Sequence, residues 1–262
     1  MITKRHASAV RMRKLVAALP LASVVMTAQA LADNEQQLEV IEVSAQKRPQ
    51  NLQDVPVAVT ALSGNVLAEK AAFDIFDIER TVPTLSAFQS QSATNSAFAI
   101  RGIGTSSQNF GFESSVGLYV DGVYRARQNS VINDLVDISS VEILRGPQGS
   151  LFGKNTPSGA VVMQTQAPDF DNSGFFQLSA GNFNMLNISG ASSFTAKEDV
   201  LAFRVSGFSS QRDGWVDDVN HPDAELNNRD RSGIRLQALF TPNDDVSVRF
   251  IADYAELDER CC

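Results

Sequence analysis

From residue 174 onward the chain alternates between apolar and polar side chains, and this restricts its fold more than any other feature does. In "DRSGIRLQALFT", Ile234, Leu236, Ala238 and Phe240 fall on one side of an extended chain, and Arg235 and Gln237 fall on the other. In "DVSVRFIADYAEL", Val246, Val248, Phe250, Ala252 and Tyr254 oppose Ser247, Arg249 and Asp253. "GFFQLSAG", "NMLNISGASSF" and "VLAFRVSGFSSQR" complete five such runs. A period of two fits any antiparallel sheet with one buried face. Three further features point to strands that cross a membrane. The runs are about 9–11 residues long, the span of a tilted transmembrane strand. Arginines share the second face with small polar residues, as they do in a wet lumen. The connections also differ by side. "TAKED" (195–199) and "TPNDD" (241–245) are short, whereas "RDGWVDDVNHPDAELNNR" (212–229) is long and acidic. Short turns on one side and long loops on the other is the outer-membrane pattern. The connection near "NFN" departs from it by being short on the long side.

The amino terminus sets the compartment. Lys4, Arg5, Arg11, Arg13 and Lys14 precede the apolar stretch "LVAALPLASVVM" (15–26), and "ALA" at 30–32 supplies small residues for cleavage. This is the layout of a secretory signal peptide, with cleavage expected before Asp33. The apolar stretch is too short for a membrane helix, which needs about 20 residues. Cleavage removes five basic and no acidic residues from a chain that already holds 30 acidic against 22 basic ones. Such a surface disfavours nucleic acid as a partner. The only cysteines, Cys261 and Cys262, are adjacent, and the only histidines are His6 and His221. Neither pair supports a disulfide framework, a zinc centre or a histidine-based triad, so no metal, cofactor or catalytic residue is expected.

Between these ends, residues 55–165 alternate strand-like and helix-like runs. "VPVAVTAL" reads as a strand, and "SGNVLAEKAAF" as a helix capped by Ser63. "FDIERTV" reads as a short helix closed by Pro83, "FAIRGIG" as a strand ending in a glycine turn, and "GLYVDGVYRA" as a hairpin turning at Asp121-Gly122. "EILRGPQGSLFGKNTPSGAVVMQT" (142–165) holds Gly153-Lys154 but is no phosphate loop. Gln148 stands where the first glycine would be, and Asn155 where Ser or Thr would bind magnesium. It reads instead as a loop between two strands, with Gly146, Gly149, Gly153 and Gly159 at bends or close approaches and Lys154 in solvent. Residues 33–54 are polar and read as a mobile tail, except for the strand-prone patch "LEVIEVSA" (38–45).

Taken in order, "EVIEVSAQKR", "LQDVPVAVTALSG", "FAIRGIG", "GLYVDGVY" and "VEILRGPQGSLFGKNTPSGAVVMQT" resemble the motifs of TonB-dependent outer-membrane receptors, and almost everything after the signal is covered. The resemblance implies an α+β plug domain, a small mixed sheet with short helices, followed by about five antiparallel strands of an incomplete transmembrane β-barrel. The implied divisions are a signal peptide at 1–32, a periplasmic tail with the TonB box at 33–49, the plug at 50–166 and the start of the barrel at 167–262. The family barrel has 22 strands around a plugged lumen, and five strands leave open edges that lipid cannot satisfy. The chain is therefore expected to be a fragment or truncated product, not transport-competent alone. The resemblance further implies uptake, without catalysis, of a scarce bulky nutrient, most often a ferric siderophore. Leu38, Glu39, Val40, Ile41, Glu42 and Val43 would pair with TonB, itself coupled to ExbB/ExbD. Arg101 and Arg145, with Glu142 as a local neighbour, would lock the plug to acids on the barrel wall. The other implied partners are outer-membrane lipid and an extracellular ligand such as a metal chelate. A soluble periplasmic TonB-binding module is the alternative.

Overall fold

The computed structural model describes residues 42–43, 47–48, 50–90, 92–105, 113–126, 135–217 and 225–260. The signal peptide and Leu38–Ile41 lie outside them. Among the described residues no helix is long and apolar enough to cross a membrane, which leaves spanning strands untouched.

The chain first forms a two-residue bridge between β1 (Glu42–Val43) and β2 (Gln50–Asn51), followed by a 3-10 turn at Leu52–Asp54. Then come β3 (Val59–Ser63), helix α1 (Gly64–Glu69) and helix α2 (Ile75–Ile78). Both helices start where their caps dictate. The Ser63 hydroxyl accepts from the Val66 amide, and Asp74 forms a reciprocal capping box with Asp77. A three-stranded sheet of β4 (Leu85–Ser90), β5 (Ser92–Ile100) and β6 (Ile103–Gly104) follows.

The central sheet adds β7 (Val116–Val120), β8 (Val123–Tyr124), β9 (Ile138–Arg145) and β10 (Gly159–Thr165), in the order β3-β9-β10-β7-β8. Strand β10 runs parallel to β7 and antiparallel to β9, so the sheet is mixed. It is buried on both faces, which is why "VGLYV" and "GAVVM" are continuous apolar runs. Ile143, Leu118 and Val161 enter one core with Ile75, Leu85 and Phe98. The alternate residues Leu144, Tyr119 and Val162 enter a second core, which also takes Val43. Val43, in the strand-prone patch 38–45, pairs with Gln50 and is buried, because an apolar side chain that can reach the sheet's second face is buried there.

The β9–β10 connection holds one helical turn, α3 (Gly149–Phe152). Gly159 is required where it stands. Its φ is +146°, and a Cβ there would lie 2.1 Å from the Leu144 carbonyl oxygen. Gly146 and Gly153 also have positive φ, whereas Gly149 begins the helical turn with open space around it and needs no glycine.

The five runs after residue 174 form one antiparallel sheet of β11 (Gly174–Gly181), β12 (Met185–Lys197), β13 (Leu201–Arg212), β16 (Arg229–Asn243) and β17 (Val246–Leu257). Four of them run 12–15 residues, longer than the apolar stretches suggested, because hydrogen bonding continues past the apolar band. The long connection carries its own small hairpin, β14 (Val216–Asp217) and β15 (Glu225–Leu226). The sheet does not close, and β11 and β17 are its edges. Phe176, Leu178, Leu236, Phe250 and Tyr254 stand exposed on one face. Ser193, Arg204, Ser206, Arg231 and Gln237 are buried on the other, against the plug. Polar groups are buried here, and apolar ones exposed, because the side away from the plug is the lipid side.

Candidate functional site

The seam between the plug and the strand wall concentrates the buried charge of the chain. Acids come from plug turns and arginines from wall strands, in three places.

The first joins Asp137 to Arg204. Asp137 sits in a left-handed turn (φ 56°) at the entrance to β9. Arg204 projects from β13, donating from Nε to Asp137 Oδ2 at 2.8 Å and from Nη2 to Oδ1 at 2.6 Å. Its remaining nitrogen donates to the Ser193 hydroxyl at 2.9 Å and lies 3.7 Å from Asp169. This is the planar fork-on-carboxylate geometry that a guanidinium provides and an ammonium does not. Both side chains are at most 4% exposed. Asp169 lies in the link between plug and wall. Burial pushes its carboxyl up, but hydrogen bonds from Ser173 and Ser193 outweigh that and hold it below the usual carboxylate range.

The second is centred on Arg249 of β17. It donates to the Thr165 hydroxyl at 2.7 Å and the Thr165 carbonyl at 3.1 Å, and stands 3.6 Å from Asp121. Asp121 is the hairpin turn residue (φ 50°), and its carboxylate accepts from the Thr165 amide at 2.9 Å. Gln237 of β16 accepts from Arg249 Nε at 2.9 Å and donates to the Gln166 carbonyl at 3.0 Å. The end of β10 and the residue after it are thereby tied to two neighbouring wall strands.

The third lies at the other end of the wall. Asp74 caps α2 with Oδ1, which accepts from the Phe76 and Asp77 amides, and offers Oδ2 to Arg229 at 2.5 Å. Arg231 is 3.7 Å from the same oxygen and is also paired with Glu259. Burial pushes the Asp74 carboxyl above its ordinary range, against the pull of Arg229.

The plug arginines singled out from the sequence stand apart from this network. Arg101 is exposed in a left-handed turn (φ 54°), where its amide donates to the Thr84 carbonyl at 2.8 Å. Arg145 is half-buried, with Nε 3.4 Å from the Ala58 carbonyl. Glu142 is buried at the centre of β9, on the face that carries Leu144. Among the described residues, the ionic contacts of the seam have the opposite polarity, with the acid on the plug and the arginine on the wall. Asp74 is legible as a helix cap and Asp121 as a turn residue. Their second role is not legible, because the partners lie up to 155 residues away along the chain. Of the expected TonB-pairing residues, Glu42 pairs with Asn51 and Val43 with Gln50. Lys154 forms an exposed pair with Glu113 at 2.7 Å, as its place in a solvated loop predicts.

A mixed-sheet plug pinned by buried charge to outer-membrane-type strands is the architecture of a plugged β-barrel receptor. Residues 51–160 match the family model described as the TonB-dependent Receptor Plug Domain, and this part of the chain is such a plug. The pesticin receptor of Yersinia enterocolitica is 34% identical over 161 residues, covering 61% of this chain and 24% of the receptor. The ferrioxamine receptor of the same species is 24% identical over 74% of this chain and 27% of its own length. The chain thus spans about a quarter of the length of these curated relatives. The solved ferric yersiniabactin uptake receptor of Yersinia pestis superposes with a TM-score of 0.70 at 26% identity, over 76% of this chain and 31% of that one. The matched plug, the adjoining strands and these likenesses together support a fragment of a TonB-dependent receptor, and the relatives and solved neighbours are receptors of the Gram-negative outer membrane.

Proposed function

We propose that this chain acts as part of a receptor for energy-coupled uptake of a ferric siderophore across the outer membrane, and does not transport alone. The extracellular ligand would bind above the plug, and TonB, driven by ExbB/ExbD, would pull on the Leu38–Val43 segment to open a path. The observation that carries this reading is the seam itself. A plug held by discrete ion pairs, rather than by a continuous apolar interface, can be seated firmly yet released by a directed force. The names of the relatives support the ligand class: pesticin, ferrioxamine and catecholate siderophore receptors. Strand addition to TonB would use main-chain hydrogen bonds, for which the β-prone Val40, Ile41 and Val43 suit the segment. Arg101 and Arg145 would complete the lock against acids elsewhere on the wall. The apolar outward face of the strands argues against a soluble periplasmic module, since such a face would aggregate in water.

The test is growth and uptake of radiolabelled iron in the source bacterium after in-frame deletion of residues 38–43. Loss of uptake for one class of ferric chelate, with retained cell-surface binding of that chelate, supports the reading. Undiminished uptake of every chelate tried contradicts it.

A further inference from the structure

Two arginines on the seam are left out of the three contacts described above. Arg125 follows β8 on the plug and Arg235 lies mid-strand on β16, and both line one cavity of about 240 Å³ between plug and wall. In each, Nε is shut off from solvent with no hydrogen-bond partner. With Nε closed off, only the outer nitrogens of each guanidinium can face the cavity and meet what enters it. Asp253 stands opposite Arg235 in the strand register and also lines the cavity, yet among the described residues the two make no ion pair. Two guanidiniums thus share a space with one carboxylate. The floor is apolar, formed by Val120, Ile138 and Met163, with Phe208 on the wall side packed across Gly233. An apolar floor strengthens whatever charge interaction forms above it.

We propose that this cavity is an oxyanion site, taking one carboxylate or phosphate group between Arg125 and Arg235. A guanidinium presents its N–H groups in the planar fork that such groups match. The volume suits inorganic phosphate or a small polycarboxylate with a few waters, and falls short of the 300 Å³ or more typical of sites for drug-sized ligands. The cavity is too small for a whole metal chelate. It rests on the geometry of the seam and stands whether or not the chain serves iron uptake. The oxyanion has two possible sources: free phosphate, or a carboxylate carried by a solute passing between plug and wall.

The experiment follows the ³¹P linewidth of inorganic phosphate titrated with the full chain in detergent micelles. Saturable broadening is expected, and in the Arg125→Gln/Arg235→Gln variant affinity should fall by roughly tenfold or more, the loss of two charge-assisted contacts. Arg235→Lys keeps the charge in place and serves as the folded comparison, with an affinity between the two. Displacement of phosphate by equimolar citrate assigns the site to carboxylate-bearing solutes, and resistance to citrate assigns it to phosphate. Absence of broadening with the unaltered chain, or equal broadening with the double glutamine variant, overturns the proposal. The readout is binding alone, so a failure here is separable from a failure of the uptake reading.

Discussion

Asp137 and Arg204, 67 residues apart in the chain, meet fork to carboxylate in the seam between plug and wall, with neither side chain more than 4% exposed. Removing one partner strands the other as an uncompensated buried charge. Arg204→Met is expected to lower stability by about 3–5 kcal/mol, and Arg204→Met with Asp137→Leu to recover most of that loss. Urea midpoints of the unaltered chain and the two variants in detergent check this. Equal midpoints for the single and double variants would mean that the two residues do not act as a pair.

Asp74 has two tasks, capping α2 and receiving Arg229 and Arg231. Asp74→Asn keeps one acceptor oxygen, enough for the cap but not also for the arginines, whereas Asp74→Ala keeps neither. The alanine variant should lose about 1 kcal/mol from the cap and a further 3 kcal/mol or more from the stranded arginines. The pH dependence has a definite sign. Because burial raises the Asp74 carboxyl in the folded chain, protonation favours the fold. The stability of the unaltered chain relative to Asp74→Asn should therefore be fully present below the unfolded pKa and be lost as pH rises through the raised folded value. A difference that grows with pH would reverse the assignment.

Gly159 joins the glycine loop to β10 against the Leu144 carbonyl. Gly159→Ala has to displace that carbonyl and adopt an unfavourable φ, at a cost of about 2–5 kcal/mol. Gly149→Ala, in open space at the start of a helical turn, should be neutral or slightly stabilising. Thermal midpoints of the two variants test this, and similar losses would remove the special status of Gly159.

Neighbours on β17 make the two faces of the wall measurable. Phe250 points away from the plug and is 65% exposed, while Arg249 points into the seam. Phe250→Arg should cost about 2–4 kcal/mol in a bilayer if it lies near the membrane midplane, and little in water. Folding into vesicles, compared with stability in detergent-free buffer, separates these outcomes.

Much of this architecture was legible in the sequence because it is written in local terms. The period of two in residues 234–254 gave both the strands and their lipid side, and Ser63 and Asp121-Gly122 gave a cap and a turn where each is found. The seam was not legible in the same way. Asp74 reads as a cap from its neighbours alone, but that Arg229 reaches it depends on how β16 is placed beside the plug, which no local pattern encodes. The polarity of the described ion pairs, plug acid to wall arginine, was missed for the same reason. Val43 lies in a patch legible as strand-prone, but its burial was not legible, since it depends on a face built from Tyr119, Leu144 and Val162.

The central claim, that the segment before the plug carries the force that releases a seated plug, is tested most directly by iron uptake in the source bacterium carrying Val40→Pro in the full receptor. Proline removes one main-chain donor and fixes φ, which breaks strand addition while leaving the plug and its seam untouched. Binding of the ferric chelate at the cell surface should be unchanged and its uptake abolished. Uptake at the level of the unaltered chain would contradict the account.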